Sequence, residues 1–258
     1  MSTHLLVVGD PVADHLVPAL CRRAGRDGWT VRVVGPLDLA DLTLATDDRG
    51  LAVDGRAVDA IVFRLSLDLV VAPGFAEDDR AFATDELRAV WAHALSLPSV
   101  TTPNRGAAVH SLLRDPLVWR DQLSAAGVTL APLTIGRAPG GARWVHTDGT
   151  LRPLPGATFA RVLGVAAVPA RRWRRIVCCE GEIEPGVERP LATNARRAAR
   201  VLAAAGAGLT ELCVDHLGRV LSVGVHPVVS AARAAWAADV LLASFGRAPS
   251  TEVVACCS

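Results

Sequence analysis

The chain contains neither lysine nor tyrosine, and all 27 of its basic residues are arginine. An arginine guanidinium stays protonated, whereas a lysine ammonium can lose its proton and attack a carbonyl carbon. Chemistry that needs a Schiff base or a lysine bound to phosphate is therefore excluded. Any cationic role in this protein must fall to arginine.

Long apolar runs are also absent. No stretch approaches the roughly 18 residues that a membrane-spanning helix needs, and the apolar run at residues 4–8 is too short for a signal peptide. The formal net charge is only +1, and the one basic cluster, at residues 171–175, is short. Nucleic acids bind proteins that offer many phosphate contacts. We therefore expect a cytoplasmic protein that binds neither nucleic acid nor a membrane.

The cysteines lack the C-x2-C spacing of a zinc site. They occupy positions 21, 178, 179, 213, 256 and 257. In a reducing cytosol the simplest interpretation is free, mostly buried thiols. The vicinal pairs Cys178-Cys179 and Cys256-Cys257 leave a soft-metal or redox site as the alternative. Adjacent residues of a strand point to opposite faces, which disfavours a shared ligand at Cys178 and Cys179.

Strands and helices alternate in the first half of the sequence. Apolar runs at residues 5–9, 29–34 and 59–64 predict strands, and the helical spacing of apolar residues over 11–26 predicts a helix between the first two. This β-α-β order predicts a parallel sheet with helices packed against it. A Pro-Gly-Gly linker at residues 139–141 favours two domains, 1–137 and 138–258.

Further elements follow from periodicity and from turn residues. The pattern predicts helices over residues 79–96, 107–113 and 115–126, and a strand pair over 128–135 that Pro132 interrupts. In the second half we expect strands at 143–146, 150–154, 159–166 and 173–179. A helix should run over 193–205, with Thr193 or Asn194 as its N-cap, and another over 230–245.

The most informative segment is residues 212–227, where two β-rich runs flank a turn at Leu217-Gly218. Asp215 lies near the end of the first run, and His226 precedes a proline in the second. This outline resembles the closing hairpin of the ATP-grasp superfamily. There, an Asp on the first strand and a Leu-Glu-Val-Asn-Pro run on the second hold magnesium ions that bridge the phosphates of ATP. Here the Glu position is occupied by Gly224 and the Asn position by His226.

Other segments resemble the same superfamily in the same order. Closest are the ligases that modify ribosomally made peptides or append glutamate to proteins. The matching segments are residues 58–64, 82–86, 104–134, 173–177 with the turn at 180–181, 191–206 and 209–227. The resemblance implies an α/β protein with a parallel-sheet pre-ATP-grasp N-terminal domain and an ATP-grasp-like α+β C-terminal domain.

Several functional parts of the family are missing. Such ligases phosphorylate a carboxylate with ATP, and two lysines usually help to bind the phosphates. Arg114 occupies roughly the first lysine position, and nothing matches the second. About 40 residues separate the strand at Leu133 from that at Arg175, roughly half of a full lid, so the second domain is expected to be abbreviated. The sequence leaves the cofactor unknown, and the incomplete set argues against ATP and magnesium.

Three polar residues near the hairpin are the candidate catalytic group, namely Cys213, Asp215 and His226. Cys213 shares the face of Asp215 by strand periodicity, and His226 could face Asp215 from the neighbouring strand. Asp215 and His226 are then candidate metal ligands, for example for zinc, and Cys213 a candidate thiolate nucleophile. The alternative is that all three are polar residues left at a vestigial site.

Arg64 and Asp10 each follow a predicted parallel strand, where α/β sheets commonly bind ligands. Together with Arg114 they are the candidate cofactor-binding residues, the alternative being solvated strand ends. The arginines at 171, 172, 174 and 175 could contact an acidic peptide or a phosphate. Otherwise they mark a solvated edge strand.

The sequence thus predicts an ATP-grasp-like protein of a peptide-tailoring or natural-product pathway without standard Mg-ATP ligase chemistry. Its expected partner is a peptide, a small molecule such as a metabolite, or a protein. One alternative is an active, divergent ATP-dependent carboxylate-amine or carboxylate-thiol ligase. Another is an enzyme that reuses the cleft for thiol or metal chemistry. A third is a homodimer formed through the surface that a missing lid would expose.

Overall fold

The structure is a computed structural model. It describes residues 3–47, 50–65, 74, 76–106, 116–131, 133–136, 143–145, 151–153, 162–165, 173–225 and 227–246. Within these ranges it contains strands and helices of both halves of the chain, and the predicted α/β class is confirmed. No helix in the described ranges is both long enough and apolar enough to cross a lipid bilayer.

A three-stranded parallel sheet forms the N-terminal part, in the order β2-β1-β6. The strands are β1 (His4–Val8), β2 (Thr30–Val34) and β6 (Ala60–Phe63). Leu5 of β1 pairs with Val31 on one side and with Ala60 on the other. All three strands were predicted. Between β2 and β6 the chain adds an antiparallel meander of β3 (Leu44–Asp47), β4 (Gly50–Val53) and β5 (Arg56–Val58), which the sequence pattern did not predict.

Five α-helices lie within the described residues: α1 (Leu16–Arg26), α2 (Glu77–Ala94), α3 (Pro116–Ala125), α4 (Arg189–Ala204) and α5 (Ala231–Phe245). Three acidic residues occupy the first turn of α2, where the positive end of the helix dipole favours them. A 3-10 turn at Leu39–Asp41 completes the helical elements. The predicted helix at 107–113 lies outside the described residues.

Helix α4 begins four residues earlier than predicted. Glu188 is its N-cap residue, and Pro190 lies in its first turn, where a missing backbone N–H costs nothing. Asn194, predicted as a cap, lies one turn inside the helix. Its side chain accepts a hydrogen bond from the Thr129 N–H (2.8 Å) and donates to the Gly218 carbonyl (2.7 Å). The prediction of a cap at Thr193 or Asn194 was therefore wrong.

The C-terminal part is built on a four-stranded antiparallel sheet, in the order β12-β11-β13-β14. Its strands are β11 (Trp173–Cys179), β12 (Glu182–Ile183), β13 (Leu209–Asp215) and β14 (Val220–Gly224). On the far side of β14, Leu130 pairs with Val220 in parallel. The first half of the predicted strand pair at 128–135 therefore joins this sheet.

Four short strands lie in the middle of the chain. β7 (Leu133–Gly136) pairs with β10 (Val162–Val165), and β8 (Arg143–Val145) pairs with β9 (Leu151–Pro153), in both cases antiparallel. The predicted domain boundary after residue 137 falls between β7 and β10, which belong to one sheet. The division into 1–137 and 138–258 stays a prediction.

The parallel sheet is covered on both faces. Leu5, Val7 and Val62 face a core that also contains buried residues of α1, α5 and the C-terminal sheet. Leu6 and Ile61 face α2 and the meander. A third core lies between α3, α4 and the opposite face of the C-terminal sheet. The first core thus joins the N-terminal part to one face of the C-terminal sheet.

Candidate functional site

The hairpin of β13 and β14 sets the geometry of the candidate site. Its ladder pairs Glu211 with Gly224 and Cys213 with Ser222, and a bulge follows between Cys213 and Val214. Asp215 therefore lies at the turn end of the hairpin, four residues along β13 from the partner of Gly224. At about 3.3 Å per residue this separation is about 13 Å. Glu211, and not Asp215, lies opposite Gly224 in this ladder, and the role of Asp215 as a metal ligand stays a prediction.

Asp215 is committed to closing the hairpin turn. Its side chain is fully buried. Oδ1 accepts hydrogen bonds from the backbone N–H groups of Leu217 and Arg219, both at 2.9 Å, and Oδ2 accepts one from Arg219 Nε at 2.7 Å. Gly218 takes a φ of +76° in the same turn, a conformation that favours glycine. With these acceptor positions occupied, Asp215 offers little to a metal ion.

A row of side chains crosses one face of the C-terminal sheet. Val177 of β11 pairs with Glu211 of β13, which pairs with Gly224 of β14. On the other side of Val177 the row continues to Glu184, whose N–H donates to the Val177 carbonyl at 2.9 Å. One cross-strand row therefore contains Glu184, Val177, Glu211 and Gly224, and we call it the carboxylate row. It includes Gly224, a position where the resemblance predicts a metal ligand.

Arginines face both carboxylates of this row. Arg233 Nη1 of α5 lies 2.9 Å from Glu184 Oε2, and Arg174 Nη2 lies 3.9 Å from Glu184 Oε1. Arg175 Nε lies 3.8 Å from Glu211 Oε1. The Glu184 side chain is fully buried, whereas the three arginine side chains are each about one-third to two-fifths exposed. The site thus combines two carboxylates with three guanidinium groups.

Burial dominates the protonation of the two carboxylates. It raises the pKa of Glu184, although a hydrogen bond from the Val177 N–H and the charges of Arg233 and Arg174 oppose the shift. Burial also raises the pKa of Glu211, opposed by Arg175 and assisted by the neighbouring charge of Glu184. Glu184 Oε1 is buried and accepts no hydrogen bond from the described residues. The row therefore holds an incompletely satisfied acceptor, a feature common at functional sites.

Cys213 is placed for packing rather than for nucleophilic attack. It is buried beside Ala131, Leu221 and Trp173. Burial raises its pKa to about 12, with a further contribution from the charge of Glu211. A thiol nucleophile must ionise near neutral pH, and this environment opposes ionisation. A catalytic role of Cys213 stays a prediction that its surroundings do not favour.

The other described cysteines agree with the simplest interpretation. Cys178 and Cys179 are free and buried, and Cys21 is free and half-buried. Cys178 belongs to the core between the sheet and α4, whereas Cys179 faces α1 and α5. The two neighbouring thiols thus point to opposite faces, as predicted. No group of three or more His, Cys, Asp and Glu side chains in the described ranges is arranged to hold a metal ion.

Arg64 and Asp10 have structural partners. Arg64 Nε donates to Asp14 Oδ2 at 2.6 Å, and its Nη2 donates to the Pro227 carbonyl at 2.8 Å, which links β6 to the end of the C-terminal hairpin. Arg64 Nη1 is buried without a partner among the described residues. Asp10 Oδ1 accepts the N–H groups of Val12 and Ala13. Arg64 and Asp10 thus contact different parts of the protein. Binding of a cofactor by either residue stays a prediction.

Some predicted residues lie outside the described ranges. These are Arg114, His226, Arg171, Arg172, Cys256 and Cys257. The proposed contact between Asp215 and His226 therefore stays a prediction.

Asn104 is a positioning residue that the sequence pattern did not predict. It is buried, and its side-chain amide donates to the carbonyls of Leu209 and Val225, both at 3.0 Å. Its Oδ1 accepts the Leu209 N–H at 3.0 Å. Asn104 thereby fixes the end of the hairpin beyond Gly224. The available signal was an amide side chain directly after Pro103, at the start of the segment 104–134 that resembles the superfamily.

The comparisons with known proteins identify the fold. No protein-family model and no curated protein matches the sequence. Among solved structures, the ATP-grasp ligase PsnB, in complex with a phosphomimetic variant of its minimal precursor, Mg and ADP, superposes with a TM-score of 0.64 at 15% identity. The match covers 95% of this chain and 99% of PsnB. The chain has the ATP-grasp fold.

Two further structures have this ATP-grasp fold. The macrocyclase MdnC from Microcystis aeruginosa, bound to the precursor peptide MdnA, gives a TM-score of 0.64 at 11% identity, over 94% of this chain and 100% of MdnC. A RimK domain protein from Sphaerobacter thermophilus gives 0.52 at 19% identity, over 93% and 100%. The predicted ATP-grasp fold and the α/β fold class are thus confirmed, and at these identities the likeness concerns the fold alone.

Proposed function

We propose that this ATP-grasp-like protein acts in a peptide-tailoring pathway, where it binds a peptide without standard Mg-ATP ligase chemistry. The observation that carries the proposal is the pairing of the carboxylate row with arginines. Magnesium needs several oxygen ligands that are not already neutralised by protein cations. Here Glu184 and Glu211 face Arg233, Arg174 and Arg175 instead.

The residues of this row, together with Asp215, do not fit a magnesium ion bound with ATP. Gly224 has no side chain to contribute, Asp215 is occupied by the turn, and the two remaining acids face guanidinium groups. A divalent cation at the row would lie near three permanent positive charges, a repulsive arrangement. The row therefore does not support a reaction step that uses magnesium and ATP.

A peptide ligand is supported by the solved structures and by charge. PsnB and MdnC were each solved with a precursor peptide. In this protein the three arginines outnumber the two carboxylates by one. Their partly exposed guanidinium groups suit a carboxylate of a peptide, because arginine binds that group with two parallel hydrogen bonds. An acidic peptide segment is the expected ligand.

The first test measures nucleotide binding. Thermal unfolding of the whole chain is followed with and without millimolar AMPPNP and Mg²⁺, and we expect no rise in the melting temperature. A ligand at about 100 times its Kd would stabilise the folded state by about 2.7 kcal/mol, which such an assay detects easily. A Mg²⁺-dependent rise that is lost in Glu211→Gln but kept in the exposed control Glu182→Gln would overturn the proposal.

The second test measures peptide binding. A fluorescently labelled peptide rich in Asp and Glu is titrated with the protein, in parallel with the same peptide carrying Asn and Gln. We expect the acidic peptide to bind at least about tenfold more tightly. Arg175→Gln should remove most of this preference, whereas Arg56→Gln on β5 should keep it. Equal affinity for both peptides would contradict the proposed role of the arginines.

A second candidate function is an active divergent ligase, and one observation favours it. Glu184 and Glu211 lie in one row with raised pKa values, as paired catalytic carboxylates often do. This alternative predicts ADP release when ATP, Mg²⁺ and a peptide substrate are mixed with the protein. Release that disappears in Glu184→Gln and Glu211→Gln but persists in Glu182→Gln would establish it over the first.

A further inference from the structure

A cavity of about 260 Å³ lies apart from the carboxylate row. Its walls come from the loop that follows α2, the turn between β11 and β12, and the C-terminal ends of α4 and α5. Its polar lining consists of Arg105, Glu180, Thr101, Thr102 and Ser244. The cavity shares no lining residue with the row. This volume is just below the roughly 300–1,000 Å³ range of small-molecule sites, so an occupant of the cavity must be small.

The turn between β11 and β12 is shaped to hold Glu180 at this cavity. Glu180 has a φ of +47° and Gly181 one of +81°. A positive φ is unfavourable for a residue other than glycine. The Glu180 N–H donates to the Gly208 carbonyl at 2.6 Å. The backbone of Glu180 is thus fixed, and its side chain is directed by the turn.

Gly208 leaves room for the carboxylate. A Cβ atom added at Gly208 would lie 2.3 Å from Glu180 Oε1 and 2.8 Å from the Pro103 carbonyl oxygen. Both distances are far shorter than real carbon contacts, so any side chain at position 208 would displace the carboxylate. Glycine is needed here for space, because its φ is not in the left-handed region. The Glu180 carboxylate therefore lies directly over the Gly208 backbone.

The lining of the cavity carries two groups of opposite charge, Glu180 and Arg105. Within the described residues, the charges of Glu180 and Arg105 interact electrostatically, and no hydrogen bond between the two side chains is found. Burial raises the pKa of Glu180, and the charge of Arg105 partly opposes this shift. The C-terminal ends of α4 and α5 add partial negative charge near Glu180. A cationic group is favoured beside Glu180, and an anionic group beside Arg105.

We propose that this cavity binds a small α-amino acid as its zwitterion, with the ammonium group against Glu180 and the carboxylate against Arg105. The hydroxyl groups of Thr101, Thr102 and Ser244 offer further hydrogen-bonding partners for the same polar groups. The proposal does not depend on the proposed peptide function, since it uses none of the arginines of the carboxylate row.

Ligand-observed NMR with the full-length protein tests this proposal. Glycine, L-alanine and L-serine are each offered at up to about 10 mM, a concentration that reveals millimolar binding. Two analogues isolate the charges: L-alaninamide keeps only the ammonium group, and N-acetyl-L-alanine keeps only the carboxylate. We expect at least one amino acid to bind, and L-alanine to bind at least about tenfold more tightly than either analogue.

Variants assign the binding to the cavity. Glu180→Gln and Arg105→Gln should each weaken binding at least about tenfold, whereas Glu182→Gln and Arg56→Gln should leave it unchanged. Each variant is first shown to melt as a folded protein, and either variant alone suffices if the other does not fold. Absence of binding by all three amino acids would overturn the proposal. So would equal binding of an analogue with one charge, or binding unchanged in both cavity variants.

Discussion

Replacement of Asp215 separates its role in the hairpin turn from a role as a metal ligand. Asp215→Ala removes both oxygens, whereas Asp215→Asn keeps Oδ1 as an acceptor and places an N–H group against Arg219. Arg219→Gln removes only the ion pair. Comparison of the three variants therefore divides the contribution of the carboxylate into its backbone hydrogen bonds and its charge.

The expected magnitudes follow from the contacts of the carboxylate. Oδ1 accepts the N–H groups of Leu217 and Arg219 at 2.9 Å, and Oδ2 accepts Arg219 Nε at 2.7 Å. A hydrogen bond to a charged group contributes about 1.5–3 kcal/mol. Since Leu217 is 63% exposed, water can replace part of the loss at its N–H group. We expect Asp215→Ala to cost about 3 kcal/mol and Asp215→Asn about 1–2 kcal/mol.

The ion pair alone contributes less. The Arg219 side chain is 29% exposed, so water screens its charge and Arg219→Gln should cost about 0.5–1 kcal/mol. At about 2 °C per kcal/mol for a chain of this size, the melting temperature should fall by about 6 °C in Asp215→Ala and by about 1–2 °C in Arg219→Gln. Urea denaturation followed by circular dichroism measures the free energies directly.

Two results would refute this reasoning. The first is a melting temperature for Asp215→Ala within about 1 °C of the wild-type value, because three lost hydrogen bonds must have a larger effect. The second is an Arg219→Gln variant as unstable as Asp215→Ala, which would assign the whole effect to the ion pair. A metal-ligand role predicts a different pattern, in which Asp215→Asn leaves the metal-free protein unaffected but abolishes a Mg²⁺-dependent rise in melting temperature.

Three further predictions concern other parts of the molecule. Gly224→Ala should be neutral or stabilise the fold by up to about 1 kcal/mol, because a Cβ there meets nothing closer than 3.9 Å. Gly208→Ala should instead lower the melting temperature by several degrees, and thermal denaturation compares the two variants. The pKa of Glu184 is raised above its ordinary 4.5, so the stability that its protonated form contributes is lost as the pH rises through the raised value. Melting curves at several pH values should therefore show that wild type loses stability relative to Glu184→Gln as the pH rises. Cys213, whose pKa is raised to about 12, should resist iodoacetamide at pH 7, and the half-buried Cys21 should react before it. Peptide mass spectrometry after labelling of the native protein measures both reactions, and rapid labelling of Cys213 would contradict its burial.

The sequence predicted the elements that depend on local pattern. Apolar runs located β1, β2 and β6, and periodicity located α2 and α5 to within two residues. Helix α1 ends where predicted but begins five residues later, at Leu16. The start of α4 was missed because Asn194 is a common N-cap residue, while its actual partners, Thr129 and Gly218, are distant in sequence. Helix propensity cannot reveal a side chain recruited by tertiary contacts.

The candidate site was less predictable, because its geometry depends on strand register. The motif outline matched Asp215 to an acid of the family, but the short turn at 216–219 pairs Glu211 with Gly224 instead. The available signal was the presence of an acid within an otherwise apolar run. Glu211 lies between Thr210 and Leu212 in a strand whose every residue is buried, and a buried acid without a partner is unfavourable.

The register also explains why the acids and the arginines belong to one arrangement. Glu211 and Glu184 lie on either side of Val177, and Arg175 lies two residues from Val177 on the same face of β11. Arg233 reaches this face because Ala237, one turn further along α5, packs against Cys179. Two elements, β11 and α5, thus bring three guanidinium groups to two buried carboxylates. Loss of either acid would leave these cations closer to one another with less compensation. A chain without lysine can place permanent cations beside these carboxylates only with arginine. The arginine-only composition and the carboxylate row are therefore consistent with one electrostatic arrangement.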